Sequence, residues 1–335
     1  MMPAAPPRIG LVLGAGGVAG GAFHAGVLAA LEEATGWDPR SAAVIVGTSA
    51  GAITGAALRA GFTGADLLAQ AQDRPLSAAG EALAQRIGPP GSPLPLRSTR
   101  QVRPPAELAG TLARGLRRPW ATRPWSLLAA LLPEGSVSTD VISVGIGRLY
   151  PDAWPESPLW ICAVRQADGR RVVLGRDGLC PPLAAAVAAS CAIPGFFSPV
   201  VIDGYPHIDG GVHSPTNADV LLEAGPLDLV IVSSPMSRQG RRPRWAVDQA
   251  MRGFSSALLD TEARRLRRRG VSVVGFQPGV TVLAEIGLDP LDPSRRSGIA
   301  AAAYAAARER LAGEALLART APLRLLAQPP QRISH

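Results

Sequence analysis

Residues 42–58 read AAVIVGTSAGAITGAAL. Val44-Ile45-Val46 is an apolar, β-branched run of the kind that forms a buried strand. It stops at Gly47-Thr48-Ser49-Ala50-Gly51. The chain beyond is small, uncharged and helix-compatible as far as Arg59, with Gly61 placed to end the helix. A strand that turns sharply into a helix, with one hydroxyl between two glycines, has the G-x-S-x-G form of a nucleophile elbow. The turn leaves no room for bulk beside Ser49, and the positive end of the following helix faces its hydroxyl. A structural Gly-Ser turn shows the same five letters, so the strand–turn–helix context carries the functional reading.

Upstream, Ile9 to Leu13 reads as a second buried strand. It leads into a glycine-rich turn, Gly14-Ala15-Gly16-Gly17-Val18-Ala19-Gly20-Gly21, and a helix from about Ala22 to Ala34. Strand, helix, strand, helix at this spacing predicts an α/β fold with a mostly parallel sheet covered on both faces. Gly14, Gly16 and Ala19 fit the dinucleotide fingerprint, but that site also requires an acid at the end of the second strand to hold the ribose. Here the second strand ends in Gly47-Thr48-Ser49, which argues against a dinucleotide-dependent oxidoreductase. The other use of a glycine loop at a helix N-terminus is to aim backbone N–H groups at negative charge, such as the oxyanion of a tetrahedral acyl intermediate.

Downstream, Leu159 to Val164 and Arg171 to Leu174 flank an Asp168-Gly169 turn and predict a hairpin. Leu183 to Ser190 is a short Ala-rich helix, and Val200 to Ile202 with Tyr205 to Ile208 predict a second hairpin. Leu229–Val232 and Val271–Val274 are later strands around a helix from Val247 to Arg269, and Ile299 to Leu317 is a final helix. A nucleophilic serine needs a base. The histidines offer little: His24 precedes Ser49 in the first helix, His335 is the last residue, and His207 and His213 flank Asp209 too closely to form an independent third member. The second hairpin instead ends in Asp209-Gly210-Gly211, where two glycines allow a tight turn and leave the carboxylate accessible.

The glycine loop, Gly47-Thr48-Ser49-Ala50-Gly51, Asp209-Gly210-Gly211 and the segment Ala188-Ala189-Ser190-Cys191-Ala192-Ile193-Pro194-Gly195-Phe196-Phe197 together resemble the bacterial patatin-like phospholipases. The resemblance runs over most of the chain and is weakest across 73–135. It implies a three-layer α/β/α fold and a Ser–Asp dyad without histidine. Ser49 would be the nucleophile, Asp209 the base, and the loop at Gly16, Gly17 and Val18 the source of oxyanion donors. Many members carry Arg where this chain has Ala19, which bears on how the loop is held rather than on the chemistry. The implied activity is hydrolysis of fatty acyl esters. A non-enzymatic membrane- or partner-binding member of the same fold is the alternative.

The chain has 335 residues, a net charge of +8 and no lysine, so all 34 basic residues are arginine. With abundant Ala, Gly and Pro, that bias points to a GC-rich genome, and the basic charge reads either as solvated surface or as a surface for nucleic acid, an anionic membrane or an acidic substrate. Residues 1–325 are expected to form one domain, with 73–135 a cap or insertion within it and 326–335 a flexible tail. Between Arg86 and Arg123 eight arginines face one acid, Glu107. With Trp120, Trp125 and the leucines of 127–132, this segment admits two readings: a surface for an anionic bilayer, or a cap whose arginines reflect codon usage. No nucleic-acid partner, cofactor or metal is expected, since Cys162, Cys180 and Cys191 show no metal-ligand spacing and read as reduced thiols of a cytoplasmic protein. The uncharged stretch 9–31 superficially suggests a signal peptide or membrane span, but its glycines and flanks argue against both.

Overall fold

A computed structural model describes residues 6–88, 135–151, 153–240 and 246–327. Eight strands form one sheet: β1 (Ile9–Leu13), β2 (Val44–Gly47), β3 (Leu159–Arg165), β4 (Arg171–Leu174), β5 (Val200–Ile202), β6 (Tyr205–Asp209), β7 (Leu229–Ser233) and β8 (Ser272–Phe276). The helices are α1 (Gly17–Thr35), α2 (Ala50–Ala60), α3 (Gly64–Ala71), α4 (Ala78–Ile87), α5 (Asp140–Leu149), α6 (Leu183–Ser190), α7 (Ala246–Arg267), α8 (Val280–Ile286), α9 (Arg296–Leu311), α10 (Glu314–Arg319) and α11 (Ala321–Ala327).

Five strands, β8, β7, β1, β2 and β3, are parallel in that spatial order, while β4 and β6 run antiparallel to β3 and β5 antiparallel to β6. Every residue of β1, β2 and β7 is buried, as in a sheet with helices on both faces. The period of two divides their side chains: Leu11, Leu13, Ile45 and Ile231 join the core beneath α1, whereas Val12, Val44, Val46, Val230 and Val232 join the opposite core with Leu259 and Leu266 of α7. The architecture is therefore mixed α/β, a mostly parallel sheet between two helical layers.

The register of β3 positions the site. Ile161 pairs with Gly47 of β2 and Leu174 of β4, and Ala163 pairs with Val172 of β4 and Asp209 of β6. Since β4 occupies one edge of β3, both β2 and β6 lie on the other edge. They run in opposite directions along it, so their C-terminal ends meet head to head opposite Cys162. Two residues past the end of β2 is Ser49, and Asp209 ends β6.

The strands and hairpins form close to the predicted boundaries, and α2 spans Ala50 to Ala60 with Gly61 at its C-cap. Two expectations are corrected. The glycine-rich turn ends at Gly16 and α1 begins at Gly17, because Gly20 belongs to its first turns: a Cβ at Gly20 would stand 3.2 Å from the Ala50 Cβ, so the glycine lets α1 pack on the start of α2. The single helix expected over 299–317 is broken at Ala312-Gly313 into α9 and α10. Within the segment read as a cap, 78–87 forms α4; the helical face expected from Leu108, Leu112 and Leu116, the basic segment with Trp120 and Trp125, and the tail from 328 onward, including His335, lie outside the described residues. The uncharged stretch 9–31 forms β1, the glycine turn and most of α1, and no helix among the described residues is long and apolar enough to cross a membrane.

Candidate active site

Ser49 sits at the junction of β2 and α2 with φ 53° and ψ −120°, a combination sparsely populated by residues other than glycine. Close packing enforces it. A Cβ at Gly51 would lie 1.9 Å from the Leu13 carbonyl oxygen, so only glycine lets α2 start this close to β1. The Ser49 backbone N–H donates to Ser190 Oγ at 2.9 Å, and Ser190 Oγ donates in turn to the Cys162 carbonyl at 2.7 Å.

Asp209 arrives from the other direction. It is buried, its backbone N–H donates to the Ala192 carbonyl at 2.9 Å, and its carboxylate accepts the Gly211 N–H at 2.7 Å. Gly210 makes the turn possible, because a Cβ there would meet the Cys162 carbonyl oxygen at 2.2 Å. Burial pushes the Asp209 carboxyl up from 3.8 to about 6, against the opposing hydrogen bonds from the Gly211 N–H and the Ser49 hydroxyl. A hydroxyl thus lies against a carboxylate that titrates near neutrality. The Cys191 thiol adjoins both; burial raises it well above the usual thiol range, so it is neutral.

Three consecutive residues at the end of α6 therefore grip the pair: Ser190 holds the Ser49 backbone, Cys191 touches its hydroxyl and Ala192 holds the Asp209 backbone. In the sequence, Ser190 is the last residue of the expected Leu183–Ser190 helix and part of the segment that carries the resemblance, with no task of its own. A serine at the end of a predicted helix gives no sign of a partner 141 residues away.

The backbone N–H groups of Gly16, Gly17, Val18 and Ala50 have no acceptor among the described residues, whereas those flanking them are tied: Gly14 to Ser233, Ala15 to Pro215 and Ala19 to Pro290. Two helix N-termini, of α1 and α2, converge here, and free N–H groups at such ends are donors of the kind that favour negative charge. Ala50, expected only as a small residue of the elbow, is a fourth N–H of this kind. His24 holds the loop from beneath. Buried, it contacts the Gly14 carbonyl through Nε2 at 2.8 Å and Ser233 Oγ through Nδ1 at 2.7 Å. A carbonyl only accepts, so Nε2 carries the proton, and burial lowers the ring to about 4. His207 commits its Nδ1–H to the Tyr205 carbonyl at 2.8 Å, and the His213 N–H donates to the Gly210 carbonyl at 3.0 Å.

Ser49 and Asp209 open onto a cavity of about 400 Å³, within the range of small-molecule sites. Its walls are mainly apolar, with Ile193, Met236, Met251, Phe254 and Leu291 facing the hydroxyl and carboxylate. The hydroxyl and carboxylate thus line a space suited to a hydrocarbon chain.

Comparison with known proteins fits this geometry. The family model described as Patatin-like phospholipase matches residues 11–222, a span that includes both Ser49 and Asp209. A search of the curated proteins found no match. Among solved structures, VipD from Legionella pneumophila is 17% identical with a TM-score of 0.40, over 92% of this chain and 67% of that one. The type III effector protein ExoU is 18% identical with a TM-score of 0.36, over 94% of this chain and 54% of the other. The chain thus spans little more than half the length of ExoU.

Proposed function

This chain belongs to the patatin-like phospholipase family, a family of lipid ester hydrolases, and we propose that it is a serine lipid acyl hydrolase acting through Ser49 and Asp209. The observation that carries the reading is the Ser49 hydroxyl against the buried Asp209 carboxylate, beneath unpaired backbone N–H groups and at the end of an apolar cavity. Asp209 takes the Ser49 proton as Oγ attacks the ester carbonyl, and the oxyanion forms at the N–H groups of the glycine loop and Ala50. Asp209 then gives that proton to the leaving alcohol, and the acyl group stays on Ser49. Water loses a proton to Asp209, attacks the acyl-enzyme and releases the fatty acid, and Asp209 returns the proton to Ser49. A carboxyl near 6 suits both duties, being mostly ionised at neutral pH while still basic enough to accept a proton.

The basic segment 86–132 is the proposed point of contact with an anionic membrane; co-sedimentation with phosphatidylglycerol vesicles that weakens with salt supports it, and equal binding to neutral vesicles removes it. For the chemistry, the test is labelling of the full chain by a fluorophosphonate, together with a lipid panel read by mass spectrometry. Labelling lost in Ser49→Ala, with release of fatty acid from at least one ester class, supports the assignment. An unlabelled, inert wild-type chain refutes it and leaves the binding-only alternative.

A further inference from the structure

The grip of α6 on the dyad comes from one face of the sheet. On the other face stands Asn217, a fully buried side chain in the left-handed conformation, φ 51° and ψ 31°. Its Nδ2 lies 2.6 Å from the Ser214 carbonyl, 3.1 Å from Thr48 Oγ1 and 3.3 Å from the Gly210 carbonyl, so its two hydrogens serve three acceptors, one of them shared. Thr48 immediately precedes Ser49, and Gly210 immediately follows Asp209. One amide therefore joins the residue beside the candidate nucleophile to the residue beside the candidate base, two strand ends that share no backbone pairing with each other.

The amide is itself held. Arg171 of β4 donates to Asn217 Oδ1 at 3.1 Å and is paired with Asp219 at 2.6 Å. Glu262 of α7, also buried, accepts from Ser214 Oγ at 2.6 Å, Thr216 Oγ1 at 2.7 Å and the Ala218 N–H at 2.8 Å, so the loop around Asn217 is fixed on both sides. Buried donors with their acceptors in place are costly to break, because the groups left behind find no water. Nothing in this network touches the cavity, so its contribution to a reaction is geometric.

We propose that Asn217 is the positioning residue of this site, the clamp that keeps Ser49 and Asp209 in register where β2 and β6 meet. The inference rests on the Ser49–Asp209 reading. A misplacement of about 1 Å costs up to about a hundredfold in rate. Asn217→Gly separates the side chain from the backbone, because glycine adopts φ 51° freely and removes only the side chain, while Arg171 keeps its pairing with Asp219. The full chain is assayed with p-nitrophenyl octanoate across pH and with a fluorophosphonate, and folding is checked by circular dichroism.

The expected result for Asn217→Gly is a kcat lower by about ten- to a hundredfold with KM within about twofold, and a parallel fall in labelling rate. The acidic limb of the pH profile should also move above its wild-type position near 6, because Asp209 loses part of its hydrogen bond from Ser49 while the Gly211 N–H and neutral Cys191 stay in place. A merely structural residue would leave that limb unmoved. Thr48→Val removes the acceptor beside Ser49, together with that hydroxyl's contact with the Cys162 thiol, and should show the same pattern more weakly, which keeps the test open if Asn217→Gly does not fold. A folded Asn217→Gly with wild-type kcat, or a loss confined to KM, overturns the inference alone. An inert wild-type chain overturns the Ser49–Asp209 reading, and this inference with it.

Discussion

Replacing Asp209 by Asn should abolish hydrolysis and at the same time stabilise the protein, by an amount that depends on pH. Burial raises the carboxyl from 3.8 to about 6. Between those values the folded chain holds a proton that the unfolded chain has released, so stability falls as pH rises through this window, and the loss is complete above it. About two pKa units at 1.36 kcal/mol each is about 3 kcal/mol. Asparagine carries no such penalty: its side-chain oxygen still accepts the Gly211 N–H, and its volume is unchanged. With roughly 2.1 cal/mol/K of unfolding entropy per residue over 335 residues, about 3 kcal/mol is a Tm difference of roughly 4 °C. Scanning calorimetry of both proteins from pH 4 to pH 8 measures it. The two Tm values should be close at pH 4 and diverge in favour of Asp209→Asn above pH 6, over the same range in which wild-type activity rises. A Tm difference independent of pH, or a variant less stable than wild type at pH 8, would refute the claim that a buried charge is held at 209.

Ser49→Gly should be more stable than Ser49→Ala by about 1 kcal/mol in urea unfolding, because glycine relieves the backbone at φ 53° while both lose the hydroxyl; equal stabilities would mean the elbow is unstrained. Ser190→Ala leaves the Ser49 N–H and the Cys162 carbonyl buried without their partner, so a loss of about 1–3 kcal/mol in unfolding free energy is expected together with a reduced kcat. His207→Ala and His213→Ala should retain substantial turnover; a folded variant of either that is as inactive as Ser49→Ala would make imidazole the base and remove Asp209 from that role.

The parts of this site that are local in sequence are the parts that can be read from it. A β-branched run ending in Gly47, small residues after Ser49 and the hairpin closed by Asp203-Gly204 each signal their own geometry within a few residues, and the elbow, α2 and the acid-bearing hairpin form where that chemistry requires. Thr63 and Asp66 form a capping box that marks the start of α3, a local signal of the same kind, though quieter than the glycine motifs. What stays illegible is reciprocal and remote. Ser190 and Asn217 are ordinary helix-end and loop residues until β3 brings two strand ends together, and their partners stand 141 and 169 residues away. The start of α1 departs from its sequence signal for a related reason: glycine lowers helix propensity locally, but close packing against α2 outweighs it.

Because β2 and β6 abut on one edge of β3, the distance between hydroxyl and carboxylate is set by β3 and the residues that tie both strand ends to their surroundings, and not by the chain that connects them. Everything from α2 to α5 is a crossover between β2 and β3, and the closure entropy of such a connection grows only logarithmically, by about 0.6 kcal/mol for each doubling of a flexible loop. Beyond the first turn of α2, which packs beside Ser49, chain can therefore be added to or removed from this crossover between generations of the gene without moving Ser49 and Asp209. The fold is in that sense modular: one excursion is open to divergence in size, while the yardstick beneath it stays fixed.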